Sequence, residues 1–396
     1  MMDALIFDAV RTPRGKGRAG GSLSELRPIE LVEHLVKALG ARHEGVGEHI
    51  EQFVLGCVTQ TGEQGADLAK IAALYAGLPH GVMGTTINTF CTSGLDAVGI
   101  AAAKASCGIG ELAMAGGVES MSRVPIFSDK GPWFADREVA KRTKFVQMGF
   151  AADLVASLEG FARGELDEIA ARSHQRAAHA QSEGYFEKSL VPITREDQVI
   201  EHDELVRPLT TVAGISTFDA LFADERSEKM ALELYPEISK MRHVHHRANS
   251  PSLADGAGLV IVGTKAAGEQ AGLTPRARIR SFANASVEPM VMLTAAQDAA
   301  QIAMEKAGVT LADVDLIELN EAFASVVLKF LRDLEVSEDK VNVNGGTIAA
   351  GHAMGATGAI LISVLLDELE RQDKSIGLVA VSGGAGLGSA MVVERI

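Results

Sequence analysis

The apolar and polar positions along the chain switch repeatedly between two periods. Residues 3 to 10 alternate as a strand does, and the glycine-rich loop RTPRGKGRAGG follows. Apolar residues at helical spacing from Ile29 to Leu39 predict a helix. Next, QFVLGCV reads as a strand ending at Cys57, and Ala66 to Tyr75 as a second helix. From Gly84 to Gly108 the pattern is denser. The β-branched Thr85, Thr86, Ile87 and Thr89 predict a buried strand, and Cys91 falls on a sharp turn. The helix that follows carries Ala97, Val98, Ile100, Ala101 and Ala102, apolar on nearly every side, so it requires a large core around it.

Three of these pieces recur near the other end of the chain. EHIEQFVLGCVTQ parallels ADVDLIELNEAFA, and the strand, turn and helix around Cys91 parallel NVNGGTIAAGHAMGATGAILISVLL. AMAGGVESMS likewise parallels VAVSGGAGLGSA. Matching pieces in matching order predict two α/β halves related by pseudo-symmetry. Between them, Met121 to Ser250 holds most of the histidines, the single tryptophan Trp133, the charged run DREVAKRTK and the polar helix GELDEIAARSHQRAAHAQSEG. That composition predicts a solvent-facing excursion from the core.

Composition narrows the function classes. With 396 residues, 47% of them hydrophobic, the chain is long enough for two or three lobes around a substantial core. No apolar run reaches the length of a membrane span, which predicts a soluble protein, and MMDALIFDAV reads as the entry to a strand rather than a secretory leader. Three unpatterned cysteines fit a reducing compartment, here the cytoplasm. The net charge of −15 argues against nucleic acid as a partner. Gly15, Gly17 and Gly20 have dinucleotide-fingerprint spacing, but GSLSELRP separates them from the next helix, so the match is coincidental.

A thiol at a helix N-terminus sees unpaired N–H groups and the positive end of the dipole, which favours the thiolate, so Cys91 is the candidate nucleophile. Cys57 reads as core packing and Cys107 as structural. His174 and His179 are five apart and share a helix face poorly.

Four ordered motifs resemble the thiolases, the acetyl-CoA acyltransferases: NTFCTSGLDAV with AGGVESMSRVP, the segment Asn320-Glu321-Ala322-Phe323, NVNGGTIAAGHAMGATG, and GLGSAMVVE. The resemblance runs from RTPRG to the C-terminal motif. It implies two βαβαβαββ halves in an α/β/α/β/α layering with an inserted loop domain. Residues 1–120 with 251–275 would form the first half, 276–396 the second, and 121–250 a loop domain that covers the active site and binds coenzyme A.

By the same resemblance Cys91 carries the acyl group and His352 activates it. Asn320 holds a water in a first oxyanion hole, with His352 as the other donor, and the N–H groups of Cys91 and Gly384 form a second. Ser382 stands where the family places a second, acid/base cysteine, and serine is a far weaker acid. Met148, Met292 and Phe323 would line a narrow apolar pocket, with Arg207, Ser250 and Ser252 near the coenzyme.

Other departures surround the substrate. Gln147 replaces a family histidine before Met148, Leu293-Thr294-Ala295-Ala296 replaces a GTGP stretch, Pro251 a serine, and Ala353 a proline. His243, His245 and His246 predict a surface or coenzyme-facing loop rather than a zinc site.

The implied reaction is reversible CoA-dependent cleavage of 3-ketoacyl-CoA through an acyl-cysteine. Acetoacetyl-CoA condensation and a weakly active acyl-CoA-binding scaffold are the alternatives. Coenzyme A would be a substrate, with no resident metal or other cofactor. A homodimer or homotetramer is implied, with a β-oxidation hydratase/dehydrogenase as a possible partner. An acidic chain of this kind needs a locally basic groove for the polyanionic coenzyme.

Overall fold

The computed structural model describes residues 4–195 and 198–396. The first part of the chain runs β1 (Ala4–Arg11), β2 (Gly15–Lys16), α1 (Pro28–Arg42), β3 (Gln52–Gly56), α2 (Leu68–Tyr75), β4 (Met83–Ile87), α3 (Ser93–Ser106) and β5 (Leu112–Glu119). An insertion follows: α4 (Pro132–Ala135), α5 (Arg137–Arg142), α6 (Met148–Glu159), α7 (Arg163–Ser182), β6 (Ile193–Arg195), β7 (Gln198–Ile200), α8 (Val212–Ile215) and α9 (Glu225–Leu234). The chain re-enters the core through β8 (Ala254–Gly263) and α10 (Lys265–Gln270). It closes with β9 (Ala277–Ser286), α11 (Ala295–Ala307), β10 (Leu316–Leu319), α12 (Ala324–Asp333), α13 (Thr347–Ala350), α14 (Met354–Arg371), β11 (Ile376–Ser382) and β12 (Leu387–Arg395).

The pseudo-symmetry read from the sequence is present in the pairing. One leaf has the order β4-β3-β5-β8-β1 and the other β10-β11-β12-β9. In the first, β3 is parallel to β5, β5 antiparallel to β8, and β8 antiparallel to β1. In the second, β10, β11, β12 and β9 repeat those orientations in that order, and a parallel bridge from Ile317 to Val341 stands where β4 stands in the first. The leaves also join at one margin, where Ala4 to Ile6 of β1 pair with Ala277 to Ile279 of β9.

Layering follows from which helices are apolar all round. In α14 every residue from Met354 to Leu369 is buried, and α3 is buried along most of its length. Both lie between the leaves, packed on each other and on strands of both sheets. The outer face of the first leaf is covered by α1 and α2, and that of the second by α11 and α12. The α/β/α/β/α arrangement is therefore observed.

Element ends moved by a few residues. The first strand is described from Ala4, with residue 3 outside the described residues, and the first helix extends to Arg42. The second strand stops at Gly56, leaving Cys57 buried just beyond it, and Cys107, read as structural, is the exposed C-cap of α3. Among the described residues no helix is long and apolar enough to cross a membrane.

Candidate active site

The site forms where the N-terminal turns of the two central helices cross. Gly94 lies so close to α14 that a Cβ there would sit 2.6 Å from the Gly355 carbonyl oxygen. A Cβ on Gly358 would sit 2.2 Å from the Leu95 nitrogen. Glycine at both positions lets the helices touch backbone to backbone, so the turns before them, with Cys91 and His352, open onto one crossing.

The Cys91 turn is held by its own polar side chains. Phe90 is in the left-handed region at φ +53°, an uncommon conformation for a bulky residue, and its N–H donates to Asn88 Oδ1 at 2.9 Å. Thr92 Oγ1 lies 2.7 Å from the Thr89 carbonyl oxygen and 2.8 Å from Asp96 Oδ2, and the Ser93 hydroxyl donates to the Phe90 carbonyl at 2.5 Å. The backbone N–H groups of Gly384 and of Cys91 itself act to lower the thiol. The Gly383-Gly384 turn stands directly over it, since a Cβ on Gly383 would lie 3.3 Å from Cys91 N. In that turn Ala385 also has a positive φ, +58°.

Burial and the nearby Glu119 carboxyl push the Cys91 thiol up to about 12, although the two N–H groups act in the opposite direction. This corrects the expectation of a helix-stabilised thiolate. Glu119 itself is raised by burial and accepts from Val58 N, Thr59 N, Gln64 Nε2 and Gly355 N, so it ties β5 to the first turn of α14.

His352 follows Gly351, whose φ of +95° permits the tight approach. The backbone of His352 donates to Ser252 O at 2.9 Å, and its Nδ1 is 2.8 Å from Thr357 Oγ1. Nε2 is buried without a protein partner. Burial, reinforced by Arg14, lowers this imidazole to about 4. With Nδ1–H donated to Thr357, the Nε2 lone pair is available as a base. Asn320, fully buried at the end of β10, accepts from Thr347 Oγ1 at 2.9 Å through Oδ1, which leaves its Nδ2 donors unpartnered. The Ser382 hydroxyl, at the end of β11, is also buried and unpartnered. Unpaired buried polar atoms are costly in a folded protein, so such a set marks a place for water or substrate.

Met148, Met292 and Phe323 come together in one apolar cluster with Phe150 and Leu293. On the other side a cavity of about 660 Å³ is lined by Lys16, Arg18, Arg207, Arg247 and Ser252. Lys16 pairs with Glu204, whereas Arg18, Arg207 and Arg247 have no carboxylate partner among the described residues. The lining is locally basic, the electrostatic character that a polyanionic ligand would require on an acidic chain. Because Ser252 O also accepts from His352 N, the groove borders the His352 turn. Ser250 is instead buried with its hydroxyl unpartnered, and is not part of the groove lining.

The histidine cluster is a second correction. His245 and His246 are fully buried rather than on a surface loop. His245 Nδ1 is 2.8 Å from Asp153 Oδ1 and its Nε2 accepts from Ser325 N, while His246 Nε2 is 2.8 Å from Asp167 Oδ1. His243 Nδ1 lies 3.1 Å from Asp153 Oδ2. His174 is likewise buried, accepting from Arg207 N, and is lowered to about 4 by burial and then by Arg207.

Sequence reasoning missed Glu119 and Arg14. Each lies within a quoted motif, but a carboxylate and a guanidinium ordinarily read as solvated.

Residues 4–266 match the family description Thiolase, N-terminal domain, and residues 273–395 match Thiolase, C-terminal domain. The chain belongs to the thiolase family and is an acyltransferase. It is 36% identical to a 3-ketoacyl-CoA thiolase of Cronobacter sakazakii, with each chain covered in full. A beta-ketoadipyl-CoA thiolase of Pseudomonas aeruginosa is 37% identical, with 100% of this chain and 99% of that one covered. Among solved structures, the acetyl-CoA acetyltransferase of Bacillus anthracis matches with a TM-score of 0.87 at 30% identity, over 100% of this chain and 99% of that one.

Proposed function

We propose that the protein cleaves 3-ketoacyl-CoA with coenzyme A, giving acetyl-CoA and a shortened acyl-CoA. The observation that carries the reading is the Gly383-Gly384 turn packed against the backbone N–H of Cys91, the residue whose sulfur would carry the acyl group: a Cβ on Gly383 would lie 3.3 Å from Cys91 N. An acyl group on that sulfur would have its carbonyl oxygen among donors already in place. Cys91 attacks the 3-keto carbon as His352 Nε2 takes the thiol proton, the bond between carbons 2 and 3 breaks, and carbon 2 takes up a proton, in net the one removed from the thiol, to leave as acetyl-CoA. The coenzyme A thiol then attacks the acyl-cysteine, giving the shortened acyl-CoA and returning a proton to the Cys91 sulfur. The Asn320 amide donors and His352 serve the other thioester oxygen.

In this reading coenzyme A is a substrate held in the basic groove, and no resident cofactor takes part. The relatives' names, 3-ketoacyl-CoA thiolase and beta-ketoadipyl-CoA thiolase, support this substrate class. Two copies would pair through β4, which ends its leaf with an unpaired margin and is flanked by exposed Ile71, Leu74, Tyr75 and Met83.

Intact-protein mass after brief mixing with acetoacetyl-CoA tests the reaction. An acetyl adduct should appear, clear when coenzyme A is added, and be absent in Cys91→Ala. Turnover without an adduct would sink the acyl-cysteine route.

A further inference from the structure

The insertion places the chain's single tryptophan over the nucleophile turn. Trp133, on α4, has its ring centroid 5.1 Å from that of Phe90, the residue before Cys91, and 4.8 Å from that of Phe145. It also covers the Gly384 turn, where a Cβ would lie 3.2 Å from the indole Cζ3. The same ring packs against the apolar cluster that holds Met148, Met292 and Phe323. The indole therefore bridges the donors at Cys91 and the wall of the acyl pocket.

That wall is already tight. A Cβ on Gly149 would lie 2.2 Å from the Phe222 ring, and Met292 is fully buried. Ring separations of 4.8 to 5.1 Å around Trp133 are ordinary aromatic contacts, with no slot for a methylene chain between them. The indole thus stands beside both the Gly384 turn and the Met148, Met292 and Phe323 cluster, in the path of an acyl chain that runs from the sulfur toward that cluster.

We propose that Trp133 is the specificity-determining residue for acyl length, admitting short unbranched 3-ketoacyl chains and excluding long ones. This rests on the thiolase reading of Cys91.

The test compares kcat/KM for acetoacetyl-CoA and 3-ketodecanoyl-CoA in the wild-type protein, Trp133→Ala and Trp133→Phe. The wild type should prefer the short substrate. Trp133→Ala should move the ratio toward the long one by about tenfold or more, chiefly through its KM, since pocket fit discriminates on this scale. Trp133→Phe should fall between. Because Trp133 is the only tryptophan, wild-type indole emission reports the contact directly and should change when Cys91 is acylated. An unchanged ratio in both variants, with Cys91 still acylated by mass, overturns the length assignment alone. A wild-type protein whose Cys91 never acylates overturns the thiolase reading and the assignment with it.

Discussion

Cys91 and His352 are both held in their neutral forms. Burial keeps the thiol near 12 and the imidazole near 4, so at neutral pH one rests as a thiol and the other as a neutral imidazole. In the proposed reaction the proton moves as substrate binds and the oxyanion donors engage. Because the His352 pKa is depressed, its basic form persists through the usual histidine range and is lost only as pH falls toward about 4. A pH profile of kcat/KM from about pH 5 to 9 should therefore lack an inflection near 6.5, the ordinary imidazole value. An acid limb centred there would contradict the burial. Ser382, whose hydroxyl does not ionise in this range, adds no limb of its own. Cys91 was legible from its turn and helix, but its charge state was not. Helix dipole and N–H groups favour the thiolate, and the burial and Glu119 that outweigh them exist only once remote strands assemble.

At the scale of elements, the strands and central helices were readable because their periods are clean. The histidine loop was not, because its partners lie far off in sequence: Asp153 on α6 and Asp167 on α7 reach His245 and His246 only in the fold. A one-dimensional pattern counts such residues as surface. The crossing of α3 and α14 was equally invisible, since a glycine inside a helix reads as a weakness of about 1 kcal/mol relative to alanine. At Gly358 the close approach outweighs that preference. Gly358→Ala would gain helix propensity but drive a Cβ to 2.2 Å from the Leu95 nitrogen, which is backbone and cannot rotate away. We expect a net loss of about 1–3 kcal/mol, the usual range for overpacking, seen as a lower urea midpoint. A rise in the midpoint would show that the helices separate easily.

The whole molecule repeats one plan twice and interrupts it once. Repetition was legible because paired segments keep their order. The attachment of the insertion was not, because it depends on a buried ion pair between distant residues. Asp203 bonds Arg11 Nη1 and Arg14 Nη2, both at 2.9 Å, with almost no solvent exposure. Burial alone would raise this carboxyl, but the two guanidiniums hold it below the usual range. Its contribution is therefore present above the unfolded carboxylate value and lost as pH falls through the lower folded one. Asp203→Asn would leave the Arg11 charge buried without an anion, costing about 3–5 kcal/mol. A thermal or urea midpoint unchanged by the substitution would refute that.

The insertion leaves the sheet after Glu119 and returns at Ala254, and Glu119 stands directly opposite Gly256 in the β5–β8 ladder. Its two stems are thus one strand spacing apart, about 5 Å. Cys91, Asn320, His352 and Gly384 lie outside these stems; Trp133 and Arg207 lie inside. The excursion is a cassette on a fixed socket. If the basic groove and Trp133 act as proposed, rewriting this excursion changes which acyl chains enter and how the coenzyme is gripped, while the turns that carry Cys91 and His352 stay in place.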